Sequence, residues 1–355
     1  MTDGSPTPAP VLSVRDLVID VATPDGTARI VNNVSFDVPS GGVFSVVGES
    51  GSGKSITMLA LMGLLDSASV SVTGGTAMFE GRDLLALPEA ELMTLRGTKV
   101  AMIFQDPMTS FNPVITIGRQ IEEMIAIHDR TMSPRARRDR SIELLDLVGV
   151  PDPARRVRQY PHAFSGGMRQ RAMIAMAVAN TPKLLIADEP TTALDVTIQA
   201  QVMEVLAKVR EETGAAMILV THDLGLVAEY SDDVGVMYGG RMMERAAVDP
   251  LFEGPRHPYT IGLLNSIPRH DTDMHALSPI PGQPPAVGEH PSGCVFHPRC
   301  GLSRGRTVCA ADEPALRPVG AARLSACHFV DEIDAWSAAG APPPEFAPGV
   351  EMADV

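Results

Sequence analysis

The sequence predicts an α/β protein built on a largely parallel sheet, with a small loop-rich module appended to it. Three observations carry this. Apolar, β-branched runs at residues 43–47, 184–187, 217–220 and 234–237 are interspersed with longer, helix-like stretches, as expected when crossover helices join parallel strands. The first run leads into Gly48-Glu49-Ser50-Gly51-Ser52-Gly53-Lys54-Ser55 and then into residues 56–65, which hold no helix breaker except Gly63. That is a strand, a phosphate-binding loop and a helix. Proline, glycine, histidine and all four cysteines crowd into residues 250–327, where the character of the chain changes.

Taken in order, residues 1–10 are Ser, Thr, Pro and Ala-rich, with no charged start and no apolar run, so they read as a loose tail and not as a signal peptide. Residues 11–21 and 30–38 read as strands joined by the turn Thr23-Pro24-Asp25-Gly26, an opening hairpin. Residues 70–79, broken by Gly74-Gly75, suggest a second hairpin, and residues 100–104 a short buried strand ending at Gln105. From about 106 to 180 the pattern turns helical, an insertion into the alternating order, and residues 196–212 read as one long helix. Residues 247–330 form the appended module and residues 331–355, with Pro342-Pro343-Pro344, a second tail.

Composition narrows the function. With 355 residues, 45% of them hydrophobic, the chain can bury a sizeable core. A net charge of −14 argues against wrapping nucleic acid, which needs a basic face. The longest apolar run, around residues 58–65, falls short of the roughly 18 residues that a membrane helix needs. Any membrane link therefore comes through a partner.

The glycines of the loop let backbone N–H groups approach a phosphate closely, Lys54 reaches the β- and γ-phosphates, and the Ser55 hydroxyl ligates Mg²⁺. Leu184-Leu185-Ile186-Ala187-Asp188-Glu189 is an apolar strand ending in two carboxylates. Asp188 suits Mg²⁺, and Glu189 is placed to take a proton from, or orient, an attacking water. Ser165-Gly166-Gly167 opens a helix and offers a second anion-binding start, this one without a lysine. Two such starts in one chain suit a dimer.

Together these segments resemble the ATP-binding cassette ATPases over residues 11–246. The resemblance implies a RecA-like core, an antiparallel β subdomain and a helical subdomain at about 106–180. It also assigns roles: Gly48, Glu49, Ser50, Gly51, Ser52, Gly53, Lys54 and Ser55 as the phosphate loop, Gln105 as the glutamine loop contributing to Mg²⁺, Ser165, Gly166 and Gly167 as the signature that closes over a partner's ATP, Asp188 and Glu189 as the carboxylates, Ala193-Leu194-Asp195 as the D-loop, and His222 as the switch histidine. Phe164 and Met168 replace the commoner leucine and glutamine, without removing a backbone donor. No aromatic residue precedes Phe36, so Val21, with the Arg29 guanidinium, is expected to meet the adenine instead.

The interval from Gln105 to Ser165 leaves no room for a long coiled coil or a zinc insertion, which disfavours the chromosome-structure and excision-repair relatives. Arg256-His257-Pro258-Tyr259-Thr260, Pro281-Gly282-Gln283-Pro284-Pro285 and Gly293-Cys294-Val295-Phe296-His297-Pro298-Arg299-Cys300 resemble the C-terminal extension of ATPase subunits of bacterial dipeptide and oligopeptide importers. This implies an ATPase on the cytoplasmic face of the membrane, working with a second ATPase subunit, identical or related, two permease subunits and an extracytoplasmic peptide-binding protein, and with no nucleic acid. An importer of nickel or another small solute is the alternative, with a soluble cassette ATPase of DNA repair or translation further off. In that importer family four cysteines of such spacing accompany a [4Fe-4S] cluster, which makes Cys294, Cys300, Cys309 and Cys327 its implied ligands. Zinc with help from His297 or His328 is the competing reading, and free thiols the third; no C-x-x-C pair occurs.

Overall fold

Among the described residues, two sheets share one apolar interior. The computed structural model describes residues 9–333 apart from 25, 66–67, 107–109, 193, 267–279, 304–305 and 321. Most of both expected tails, and Ala193, lie outside these.

A turn folds β1 (Leu12–Thr23) onto β2 (Gly26–Val38). β3 (Val43–Val47), buried at every residue, then runs through the phosphate loop into α1 (Lys54–Leu61). The expected second hairpin is instead one strand, β4 (Val70–Phe79), antiparallel to β1. Its glycines serve a register shift between Arg15 and Val18. A Cβ on Gly75, at φ +94°, would stand 2.6 Å from the backbone oxygens of Arg15 and Asp16, so the close approach of β1 requires glycine there. β5 (Arg82–Asp83) completes an antiparallel sheet of order β2-β1-β4-β5.

After α2 (Glu89–Leu95) and β6 (Val100–Ile103) comes the helical block: α3 (Ile117–His128), α4 (Pro134–Leu147), α5 (Pro153–Arg156) and α6 (Gly166–Ala177). Ile117, Ile121 and Ile125 pack there with Leu144, Leu145 and Ile174. The chain then alternates through β7 (Leu184–Asp188), α7 (Val196–Thr213), β8 (Ala216–Thr221), α8 (Leu224–Tyr230) and β9 (Asp233–Tyr238). The order β9-β3-β8-β7-β6 is parallel throughout. Strands buried on both faces read as unbroken apolar runs, which is why these were legible without alternation.

β10 (Arg241–Ala247) turns back antiparallel to β9. It is followed by α9 (Val248–Glu253), α10 (Pro258–Asn265), α11 (Thr307–Ala311), β11 (Arg317–Pro318) and β12 (Leu324–Ser325). β12 pairs with β10, Glu244 opposite Ser325, so the cysteine-rich segment extends the main sheet. Tyr259, Val295 and Phe296 join Val47, Val236 and Tyr238 in one apolar cluster. The rings of Tyr238 and Tyr259 lie 4.7 Å apart, and each lies 5.2 Å from Phe296, within the range of favourable edge and offset contacts.

β10 also carries a buried carboxyl. Glu244 Oε1 accepts from the Arg256 backbone N–H at 2.7 Å, while Oε2 has no hydrogen-bond partner among the described residues. Burial raises its pKa from 4.5 to about 7. The folded chain therefore holds this proton more tightly than the unfolded chain does. The stability it contributes is complete below about pH 4.5 and is lost as the pH rises through 7. Glu244→Gln keeps the shape without the charge. The thermal midpoint of the variant, relative to the native chain, is expected to be at least about 2 °C more favourable at pH 8 than at pH 5.5; an identical difference at both pH values would refute the assignment.

Candidate active site

The phosphate loop hangs from the C-terminal end of β3 and opens α1. A Cβ on Gly48 would fall 2.1 Å from the Met237 carbonyl oxygen, so only glycine lets the loop start this close to the end of β9. Gly53 stands at φ +97° as the N-cap of α1. Lys54 is buried in the loop, with Nζ donating to the carbonyls of Gly48 at 2.8 Å and Glu49 at 3.0 Å. Burial pulls its pKa down against the opposing pull of Glu189, Asp188 and Glu49.

Ser55 Oγ donates to Asp188 Oδ1 at 3.0 Å. Burial, with the charge of Glu189, pushes the Asp188 carboxyl upward, and the Ser55 hydrogen bond and Lys54 offset this only in part. The next residue, Glu189, sits at φ +47°, a sparsely populated conformation for a side chain of this type and one that clusters at functional sites. Its Oε2 accepts from Thr192 Oγ1 at 2.8 Å and Gln105 Nε2 at 3.1 Å, and lies 3.7 Å from His222 Nδ1.

The loop follows β3, Gln105 follows β6, Glu189 follows β7 and His222 follows β8. Groups remote in sequence thus meet at one end of the parallel sheet, where open α/β sheets place their ligands. They border a cleft of about 470 Å³ lined also by Ile30 and Val287. A larger cleft, about 610 Å³, borders β1, β2 and β10. No phosphate-loop residue lines it, and two of its arginines are paired with carboxylates of the same lining, Arg15 with Asp37 and Arg241 with Glu313, both at 2.7 Å.

Gly48–Ser55, Gln105, Asp188, Glu189 and His222 are therefore together. Ser165, Gly166 and Gly167 are not. Ser165 Oγ accepts from the Met168 N–H at 3.4 Å as the N-cap of α6, with Ser165 and Gly166 exposed away from the cleft. Asp195 caps α7 by accepting from the Ile198 N–H at 3.0 Å. Val21 and Arg29, expected to meet adenine, do not line this cleft: Val21 pairs with Ala28 and Val70 in the antiparallel sheet, and Arg29 Nε donates to Asp20 Oδ1 at 3.0 Å. The apolar side chains at the cleft are Ile30, Ile56 and Val287. Nothing in the sequence around Val287 marks it, and Thr192 beside Glu189 was likewise missed.

All four cysteines line one cavity of about 20 Å³, with His257, His297 and His328 also in its wall. Burial pushes the thiols of Cys294 and Cys327 up to about 11 and 12, and those of Cys300 and Cys309 upward. Among the described residues no group of three or more His, Cys, Asp or Glu side chains is arranged to hold a metal ion. The expected iron–sulfur or zinc centre thus has no support as a formed metal site.

Comparison with known proteins agrees with this geometry. The sequence model for ABC transporters matches residues 31–192, and that for the oligopeptide/dipeptide transporter C-terminal region matches residues 243–309. The oligopeptide transport ATP-binding protein OppD of Salmonella typhimurium is 49% identical over 324 residues, 91% of this chain and 95% of that protein. The dipeptide transport ATP-binding protein DppD of Bacillus subtilis is 50% identical over 290 residues, 82% and 86% of the two chains. Among solved structures, a dimeric post-hydrolysis state of the ATP-binding cassette MJ0796, bound to ADP and Pi, is similar with a TM-score of 0.60 and 26% identity, covering 67% of this chain and 98% of that one. A phosphate loop, a carboxylate pair and a C-terminal region of this kind, with identity sustained over nine-tenths of the chain, place it in the ATP-binding cassette family, among the oligopeptide and dipeptide transport ATP-binding proteins.

Proposed function

We propose that the chain is the ATP-hydrolysing subunit of a membrane importer of dipeptides or oligopeptides. The carrying observation is Glu189, held by Gln105 and Thr192 beside the phosphate loop, in a chain whose relatives are named as oligopeptide and dipeptide transport ATP-binding proteins. Loop N–H groups and Lys54 bind the phosphates of ATP. Mg²⁺ fits here: the Ser55 hydroxyl and the Asp188 carboxylate converge, and burial disfavours the charge on Asp188 that a cation would stabilise. Ser55, Gln105 and Asp188 would hold the ion, and it would supply positive charge against the phosphates. Glu189 takes a proton from, or orients, the attacking water, and its donors fix the direction in which Oε2 points.

The exposed helix start at Ser165, Gly166 and Gly167 suits closure over ATP held by a second ATPase subunit, identical or related, with Asp195 on the neighbouring helix. No helix among the described residues is long and apolar enough to cross a membrane. Two permease subunits would hold the ATPase at the cytoplasmic face, with an extracytoplasmic binding protein delivering the peptide to them. For the cysteine cavity the favoured reading is a [4Fe-4S] cluster, in which each thiolate binds its own iron; zinc needs its ligands gathered on a single ion. Its support is that Cys294, Cys300, Cys309 and Cys327 line one cavity.

Glu189→Gln is expected to retain ATP binding and slow turnover by about 10²-fold or more, measured as ATPase rate and nucleotide occupancy of the assembled transporter. Near-native turnover would remove Glu189 from its role. Because the apolar residues of the cleft, Ile30, Ile56 and Val287, offer the base no hydrogen bond, competition binding should find ATP and GTP within about tenfold; a strong preference for ATP would mean another group reads the base. Anaerobically purified chain should be brown and hold about four iron and four sulfide. Stoichiometric zinc, or four titratable thiols and no metal, would overturn the cluster.

A further inference from the structure

The face of the phosphate loop turned away from the cleft is gripped by the C-terminal segment. Glu49 is the loop's acidic residue, and it does not line the nucleotide cleft. Its carboxylate accepts both arms of the Arg299 guanidinium, Nη1 to Oε2 at 2.5 Å and Nη2 to Oε1 at 3.1 Å. Its backbone N–H donates to the Tyr259 hydroxyl at 2.9 Å. Arg299 is itself held rigidly: Nε donates to the Pro281 carbonyl at 2.7 Å, Nη1 to the Tyr238 hydroxyl at 3.2 Å, and the guanidinium lies 5.6 Å from the centre of the Tyr238 ring. Both Arg299 and Tyr259 are buried, at 8% and 0% exposure.

This matters because the loop has little to hold it from within beyond Lys54 on the carbonyls of Gly48 and Glu49. Gly48, Ser50, Gly51, Ser52 and Gly53 carry no apolar side chain to pack, and three glycines leave the free loop many conformations. An anchor that fixes Glu49 through main chain and side chain together lowers the ordering that ATP must otherwise impose, which is preorganisation. The pair also neutralises a carboxylate that would sit, unpaired, in the loop that receives phosphate. A bidentate arginine suits both tasks, since it supplies charge and direction at once.

We propose that Arg299 and Tyr259 are positioning residues for the phosphate loop, so that the C-terminal extension sets the ATP affinity of the cassette by holding Glu49 from behind. The inference rests on the nucleotide-site reading above and deepens it. It also gives the cysteine cavity a route to that site, because Arg299 is followed directly by Cys300, one of the residues of the cavity wall. Displacement of residues 297–300 would move the anchor.

The test compares the full-length native chain with Arg299→Gln, Arg299→Lys, Tyr259→Phe, Glu49→Gln and the double variant Glu49→Gln/Arg299→Gln. MgATP affinity is read by equilibrium binding, folding by thermal midpoint, and KM and kcat for ATP in the assembled transporter. Arg299→Gln should weaken MgATP binding about tenfold, and raise KM with kcat at saturating ATP near native. Arg299→Lys should recover part of the loss, and Tyr259→Phe, which removes one hydroxyl, should weaken binding about threefold. The double variant should bind no worse than the weaker single variant, because both changes break one interaction. Native affinity in a folded Arg299→Gln chain, or multiplying effects in the double variant, would overturn the proposal. If Arg299→Gln does not fold, native affinity in Tyr259→Phe overturns it alone. Failure of the native chain to bind MgATP would sink the nucleotide-site reading itself, and this inference with it.

Discussion

β3 lies between β8 and β9 in the parallel sheet, all five of its residues buried, and the phosphate loop is the continuation of its backbone. Its position is fixed by more than the ladder. The Val43 N–H donates to Asp232 Oδ2 at 2.7 Å, and the buried hydroxyls of Ser45 and Ser231 meet at 2.5 Å. Polar groups inside a strand this deeply buried are stable only when paired, and these pairs tie the strand to the α8–β9 connection. With β3 fixed, every other group of the site is located by how many strands away it emerges. Glu189 leaves β7 and His222 leaves β8 at the same edge of the sheet. That shared edge makes the short contacts around Glu189 Oε2 possible.

The electrostatics follow from that burial. Lys54 and Asp188 are displaced in opposite directions, each toward its neutral form, and burial is the largest cause for both. Each charge depends on the other's neighbourhood to persist. A polyphosphate beside Lys54 and a divalent cation beside Asp188 both strengthen the charged forms, so binding at the two ends of the site is mutually supportive. The left-handed backbone at Glu189 is consistent with a residue whose geometry is held by its hydrogen bonds and by the Val220 carbonyl that accepts from its N–H at 2.9 Å, against its own conformational preference.

What could be read from the sequence was whatever is local to a strand end. Gly48 to Ser55 join a strand end to a helix start, and Asp188 with Glu189, Gln105 and His222 sit within two residues of a strand end, so a short motif carries both the chemistry and its position. What could not be read depended on register between distant segments. Val21 and Ile30 are both apolar and both near a strand end, and only the pairing of β1 with β2 decides which one borders the cleft. Gly74-Gly75 looked like a turn because glycine pairs usually mark one, yet it is the approach of β1 that uses them. Tyr259 and Arg299 reach the loop through tertiary contacts that leave no local trace, and Val287 lines the cleft from a distant segment.

The cysteine-rich segment packs both on itself and on the main sheet. Residues 250–327 carry the turn-forming and metal-binding residue types of a small separate module, and Ile261, Leu302 and Cys327 form a small apolar cluster with Val330 and Ile333, but the largest side chains join the main core. Tyr259 and Phe296 are buried against Tyr238 at the end of β9, and β12 continues the sheet at β10. The chain has four tyrosines in all, and two of them stand in this one cluster. Tyr259 sends its hydroxyl to the phosphate loop, and Tyr238 sends its own to Arg299. In a protein so poor in aromatic residues, large rigid side chains at this junction give it the stiffness that a Gly and Ser loop cannot supply for itself. The segment is therefore part of the nucleotide site's foundation: Tyr259 and Arg299 are in direct contact with the loop that binds phosphate.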